Sequence, residues 1–186
     1  MKRFVVGKTH MIVLGLLLLS SFMMQQPANA SPFGQGLFGA DVPFGSETSI
    51  AIALGGNAAL GLTPSGPNFS GTGSHTLTVT STDVVGYKLY AFSPTSTTMT
   101  NGSDTIPASS NSSPSTLAVN TWGYNTTGST TNFTGMLTTP SLIKDASGPY
   151  KNGDDTTITY GALTDITKSA GDYTVGVVYT VVAENE

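Results

Sequence analysis

The sequence contains no cysteine, one tryptophan and two histidines in 186 residues. Without cysteine there are no disulfides, so a stable fold has to come from buried apolar surface alone. Beyond residue 30 there is no arginine, and the only basic residues are Lys88, Lys144, Lys151 and Lys168. Four scattered lysines cannot neutralise a row of phosphates, which excludes nucleic acid and argues against anionic lipid headgroups as partners. No stretch of ten or more residues in that region holds helical periodicity, so the pattern excludes a helical fold.

The first thirty residues are of a different kind. Lys2, Arg3 and Lys8 precede an apolar run from Met11 to Leu19, and Ala28-Asn29-Ala30 follows. A basic start, a short apolar stretch and small residues at a cleavage position are the marks of a secretory signal peptide. The run is about half the roughly twenty residues that cross a bilayer as a helix. Cleavage after Ala30 is expected to leave a 156-residue chain beginning at Ser31 with no membrane span, since no apolar tail or basic stop is seen at the C-terminal end. Eleven acids against four lysines give that chain a net charge of −7, read as a solubility feature.

The expected organisation is therefore a signal peptide over 1–30, a leader over 31–46 and one β-sandwich domain over 47–186. The leader interleaves Phe33, Phe38 and Phe44 with Gly34, Gly36, Gly39, Gly45, Pro32 and Pro43, a density of breakers that opposes both helix and strand. From Thr48, the alternation of Ile50, Ile52 and Leu54 with small residues predicts a first strand. A long loop is expected over 57–73, with a short strand possible near Leu60 and Leu62. Strands follow over His75–Ser81, where Leu77 and Val79 share one face, and over Gly86–Phe92, with a turn at Asp83 between them. Ser93 to Ser115, rich in Ser, Thr, Asn and Pro, reads as loop with short strands at most. Structure resumes near Leu117 and Val119 and then at Thr121-Trp122-Gly123-Tyr124, with Trp122 a core candidate. Thr156–Tyr160 and Tyr173–Ala183 complete the set. The last, apolar on both faces, is expected to lie centrally in its sheet. The fold class predicted is all-β, an immunoglobulin-like antiparallel sandwich. Tyr173, after Ala170-Gly171-Asp172, stands where a tyrosine-corner hydroxyl would bond back to upstream backbone.

Chemistry-bearing residues are few. A Ser-His-Asp site could be built only around His75, and no G-x-S-x-G elbow accompanies it. No pair among the eleven acids is singled out for glycoside chemistry. Asn152, Asp154 and Asp155 crowd oxygen donors together, but without EF-hand spacing they read as turn residues rather than a calcium site. Asn68, Asn101, Asn111, Asn125 and Asn132 each begin an N-x-[ST] triplet. The sequence thus predicts no catalytic, metal or cofactor site and no enzyme.

Gly86-Tyr87-Lys88-Leu89, Asn120 to Tyr124, and Ala170 to Tyr173 running on to Tyr179-Thr180-Val181 resemble bacterial secreted cell-surface proteins of one sandwich domain ending in a G-x-Y strand, with an ending similar to fimbrial and spore-coat subunits. The resemblance covers roughly residues 75 to 183. It implies a structural or adhesive role at the cell surface and carries no functional residues over. Two functions are expected from this: a structural subunit of an extracellular fibre, coat or matrix, self-associating by strand addition through residues 48–54, or a monomeric binding module for a glycan or protein, using Tyr124 and the polar loops.

Overall fold

The computed structural model describes residues 49–185; the expected signal peptide and leader lie outside the described residues. Ten strands, all paired antiparallel, make up the regular structure. No helix among the described residues is long and apolar enough to cross a membrane.

One sheet has the order β1 (Ser49–Leu54), β3 (Asn68–Thr82), β9 (Asp154–Thr164), β7 (Thr121–Asn125), with β2 (Thr63–Ser65) paired to the start of β3. The other has the order β10 (Val178–Glu184), β4 (Gly86–Phe92), β8 (Ser141–Ser147), and β5 (Met99–Asn101) and β6 (Asp104–Ile106) form a hairpin. Leu77 and Val79 of β3, Ile158, Tyr160 and Ala162 of β9 and Trp122 of β7 pack with Tyr87, Leu89 and Ala91 of β4 and Ala146 of β8 in one buried cluster. The two sheets therefore enclose a common core, as in a β-sandwich, and the period-two rows of β3 and β4 supply its centre.

The two sheets are unequal in length. β3 runs for 15 residues and β9 for 11, whereas β4, β8 and β10 have 7 each. Residues 57–62 cover part of the overhang: Ala58 and Leu60 pack against the core, and a Cβ on Gly71 or Gly73 would collide with the carbonyls of Gly61 and Ala59. These two glycines stand inside a strand where the sequence predicts loop, and their lack of a side chain is what lets a second chain segment lie against the sheet. Gly66, at φ 61°, opens the Gly66–Pro67 turn that folds β2 back onto β3, as a two-residue hairpin with a positive first φ requires.

The outer face of β7 and β9 is closed by the loop that follows β7. Gly123 and Gly161 are cross-strand partners, and a Cβ on Gly161 would run into the ring of Phe133, which is 3% exposed. Asn125 holds the same loop: its Nδ2 donates to the Ser129 and Asn132 carbonyls, both at 2.9 Å, and its Oδ1 accepts from the amides of Thr127 and Ser129 at 3.1 Å.

Three expectations are corrected. β10 is an edge strand, not a central one, because only β4 pairs with it. It is regular only from Val178; ahead of it Thr174 pairs with Thr100 of the hairpin instead. Leu117 and Val119 belong to no strand, whereas Ser141–Ser147, which alternation did not reveal, forms β8. Tyr173 does make the local bond anticipated, its hydroxyl donating to the Ser169 carbonyl at 3.0 Å.

Replacing Phe133 by alanine uncovers the glycine pair and is expected to cost about 3–4 kcal/mol, read from urea unfolding. G161A forces the ring aside and is expected to destabilise by about 1–3 kcal/mol in the same assay.

Candidate functional site

The row of β3 side chains facing the core continues from Leu77 to His75, opposite Ile158, and so places an imidazole at the border between the packed core and the overhang. Its Nδ1 lies 2.9 Å from the Gly56 carbonyl, which can only accept, so Nδ1 carries the hydrogen. In the neutral ring Nε2 then accepts from the Tyr179 hydroxyl at 2.7 Å. The Tyr179 oxygen in turn accepts from the Tyr160 hydroxyl. The edges of the imidazole and of both phenols meet in T-shaped contacts, with centroids 5.7 Å from Tyr160 and 5.5 Å from Tyr179. Burial pushes Tyr160 up to about 12 and raises Tyr179 as well, with Tyr160 adding to the latter effect. The phenols stay protonated, and the chain of bonds ties β9 and β3 of one sheet to β10 of the other.

Next to this relay opens a cleft of about 1010 Å³. Leu54, Leu60, Phe69, Trp122, Tyr173 and Val177 are among the residues lining it. It exists because the three-stranded sheet ends before β3 and β9 do. The irregular segment 173–177 and the β5–β6 hairpin span that end in place of another strand.

A second polar tie closes the other end of the core. Asp154 and Asp155 are strand residues rather than the turn pair predicted, and adjacent strand residues face opposite ways. Asp154 lies opposite the core residue Val79, and its carboxylate accepts from Lys144 Nζ at 2.6 Å and from the Tyr87 hydroxyl at 2.7 Å. Asp155 lies on the outer face and accepts from Thr78 Oγ1 at 2.6 Å. Burial acts to raise Asp154, but the hydrogen bonds from Lys144 and Tyr87 outweigh it and hold the carboxyl below the usual range. Tyr87 is raised by burial and by the Asp154 carboxylate.

The two carboxylates thus diverge, and among the described residues no group of three or more His, Asp or Glu is placed to hold a metal ion. Both nitrogens of His75 are engaged, neither of them with a serine or an acid. Trp122 is fully buried, and Tyr124 at 5% exposure is core as well, which removes it as a recognition ring. Of the N-x-[ST] asparagines, Asn125 is 3% exposed and holds its own loop, and Asn111 Nδ2 is directed at the carbonyls of Ser115, Thr116 and Phe133. Asn132 is exposed.

The backbone edges differ sharply. Beyond β7, Trp122 bonds to Pro107 and Ser109, and Tyr124 to Thr134, so that edge of the larger sheet is covered. At the opposite edge, β1 pairs with β3 alone among the described residues. Its residues facing the core side, Ile52 and Leu54, are 37% and 52% exposed, and Leu54 lines the cleft. Sequence reasoning found this strand but not the cleft, whose lining comes from six separate stretches of chain.

No family model matches the sequence, and no curated protein does. One solved structure that does match is of a chaperone–tip adhesin complex from work on CFA/I fimbriae biogenesis, with 14% identity and a TM-score of 0.48. The match covers 74% of this chain and 42% of that one, so the chain spans less than half the length of its neighbour. At that identity and score the likeness assigns neither family nor function.

Y179F removes both the donor to His75 and the acceptor for Tyr160, and is expected to cost about 1–3 kcal/mol by thermal or urea unfolding. D154N is expected to cost about 1–2 kcal/mol at pH 7. A carboxyl held low in the folded state stabilises above the ordinary carboxylate pKa, and the gain is lost as pH falls through the depressed value. Unfolding curves of the two proteins should accordingly converge as the pH is taken below the ordinary carboxylate range.

Proposed function

We propose that this chain is exported through cleavage after Ala30, folds as an immunoglobulin-like sandwich, and serves outside the cell as a non-catalytic structural subunit that associates with further copies along the edge of β1. The observation that carries this reading is the edge itself. β1 has the sequence Ser-Ile-Ala-Ile-Ala-Leu, free of charge and proline, with a regular six-residue register to β3 and no bulge. Soluble proteins ordinarily guard an exposed edge with a lysine, a proline, a bulge or a covering loop, because its unpaired N–H and C=O groups template further pairing. β7 is covered in that way, whereas among the described residues β1 pairs with β3 alone. The strand expected from the sequence to join a neighbour pairs with β3 in its own chain, so the association proposed is addition at its free side, with the cleft beside Leu54 open to apolar side chains of the incoming segment.

The test is light scattering after size exclusion on the chain from Ser31, beside A51K/A53K, which puts two lysines on exposed outward positions of β1 and leaves the core alone. The wild type is expected to form oligomers that grow with concentration, and the variant to run as a monomer whose unfolding midpoint equals that of the wild type at dilutions where the wild type is monomeric. A wild-type monomer at all concentrations overturns the proposal.

A further inference from the structure

The pairing of β1 with β3 settles which backbone groups its free side presents. The Gly55 N–H donates to the Thr76 carbonyl at 2.9 Å, and this pair continues the register that runs from Ser49 with Thr82 to Leu54 with Leu77. Hydrogen-bonded and non-hydrogen-bonded pairs alternate along an antiparallel ladder. Ser49, Ala51 and Ala53 therefore bond to β3, and the N–H and C=O groups of Ile50, Ile52 and Leu54 point to the free edge. The side chains of these same three residues turn to the core side, since their cross-strand partners are the buried Ser81, Val79 and Leu77. Ala51 and Ala53 turn outward.

A strand that adds here has to bring its own apolar row to the core side, with the backbone groups of that row aimed at Ile50, Ile52 and Leu54. A second β1 meets both conditions. Laid antiparallel about a two-fold axis at Ile52, it sets Ile52 against its own counterpart, Ile50 against the second copy's Leu54, and Leu54 against the second copy's Ile50. Every apolar side chain of the strand then has an apolar neighbour, and each of the three residues exchanges both of its outward hydrogen bonds. A slip of one residue would set isoleucine against alanine on opposite faces. A slip of two moves the axis to Ala51 and leaves Leu54 beyond the matched residues.

The other sheet edges do not offer this fit. β7 is covered by its bonds to Pro107, Ser109 and Thr134. β8 carries Lys144 and Asp145 and faces a register shift between Leu89 and Tyr90, both of them features that guard an edge. β10 ends in Glu184, which is paired with Lys88. Pairing of β1 with any of these would also leave the second copy's β1 open, whereas a two-fold contact uses both free edges at once and makes each interaction twice.

We propose that β1 pairs with β1 of a second copy, antiparallel about a two-fold axis at Ile52, so that the larger sheets of two molecules become one continuous sheet. The inference rests on association through the β1 edge and names its partner strand, register and stoichiometry. Because β7 at the far side of the larger sheet is covered, this contact closes at two copies, and any larger oligomer is built from such pairs.

The chain has no cysteine, so single substitutions on the outward face report the register without background. With the axis at Ile52, residue 51 faces residue 53 of the second copy in a non-hydrogen-bonded pair, with Cα atoms about 4.5 Å apart, inside the range a disulfide bridges. Each of these residues lies about 8 Å from its own counterpart, outside that range. The experiment oxidises the chain from Ser31 as A51C alone, as A53C alone and as an equal mixture of the two at the same total concentration, and identifies the products by mass. The mixture is expected to give the A51C–A53C dimer at least tenfold faster than either variant links to itself, with no linked product larger than a dimer. Self-linking of A51C as fast as the mixed reaction moves the axis or makes the strands parallel and overturns the proposal. Oligomers in light scattering without the mixed link also overturn it while leaving association through another pairing of β1 open. A monomer at every concentration removes the reading on which it rests.

Discussion

The antiparallel pairing of β3 with β9 is the constraint on which the rest depends. Eleven consecutive partner pairs, from Phe69 with Thr164 to Val79 with Asp154, fix which side chains face the core. A slip of one residue would turn either His75, Leu77 and Val79 or Ile158 and Tyr160 out to solvent and bring that strand's threonines in. The same register aligns Gly73 with Tyr160 and Gly71 with Ala162, leaving a shallow strip on the core side into which residues 57–62 settle. It also sets Gly161 opposite Gly123 on the outer side, where Phe133 seats.

Because the smaller sheet is only half as long as β3, the core is closed by a different device at each end. Where that sheet covers the larger one, Lys144 of β8 reaches across to Asp154, and Tyr87 completes the contact. Where it stops short, the His75–Tyr179–Tyr160 relay draws the sheets together and the cleft begins. Both ties combine charged or polar groups with apolar packing, and each satisfies its own hydrogen-bonding groups: among the described residues no buried side-chain nitrogen or oxygen lacks a partner. A chain without disulfides thereby gains fixed points between two sheets that hydrophobic contact alone would let slide.

The centre of the fold was legible because alternation there is undisturbed. Leu77 and Val79 in one strand, Tyr87, Leu89 and Ala91 in another, and Trp122 as a core residue were all readable from period and type. The misreadings have specific causes. Gly71 and Gly73 signal a break in any sequence reading, yet here they extend β3 by making room for a neighbouring segment. β8 hides because its register shifts between Leu89 and Tyr90 on the partner strand and because Lys144 faces inward to meet Asp154. β10 looks central since both its faces are apolar, and the structure shows why: one face is core and the other is the exposed outer face of the sheet. The cleft and the relay could not be read in advance, since His75 and Tyr179 are 104 residues apart and only the sheet closure brings them together.

The proposed association makes β1 an edge that a second copy completes. Amide hydrogen exchange of the chain from Ser31, measured over a hundredfold range of protein concentration, tests this most directly. Amides of β3 and β9 are expected to be the slowest and independent of concentration, while those of Ser49–Leu54 that point away from β3 become protected as concentration rises. Protection in β1 that stays the same at every concentration would contradict it.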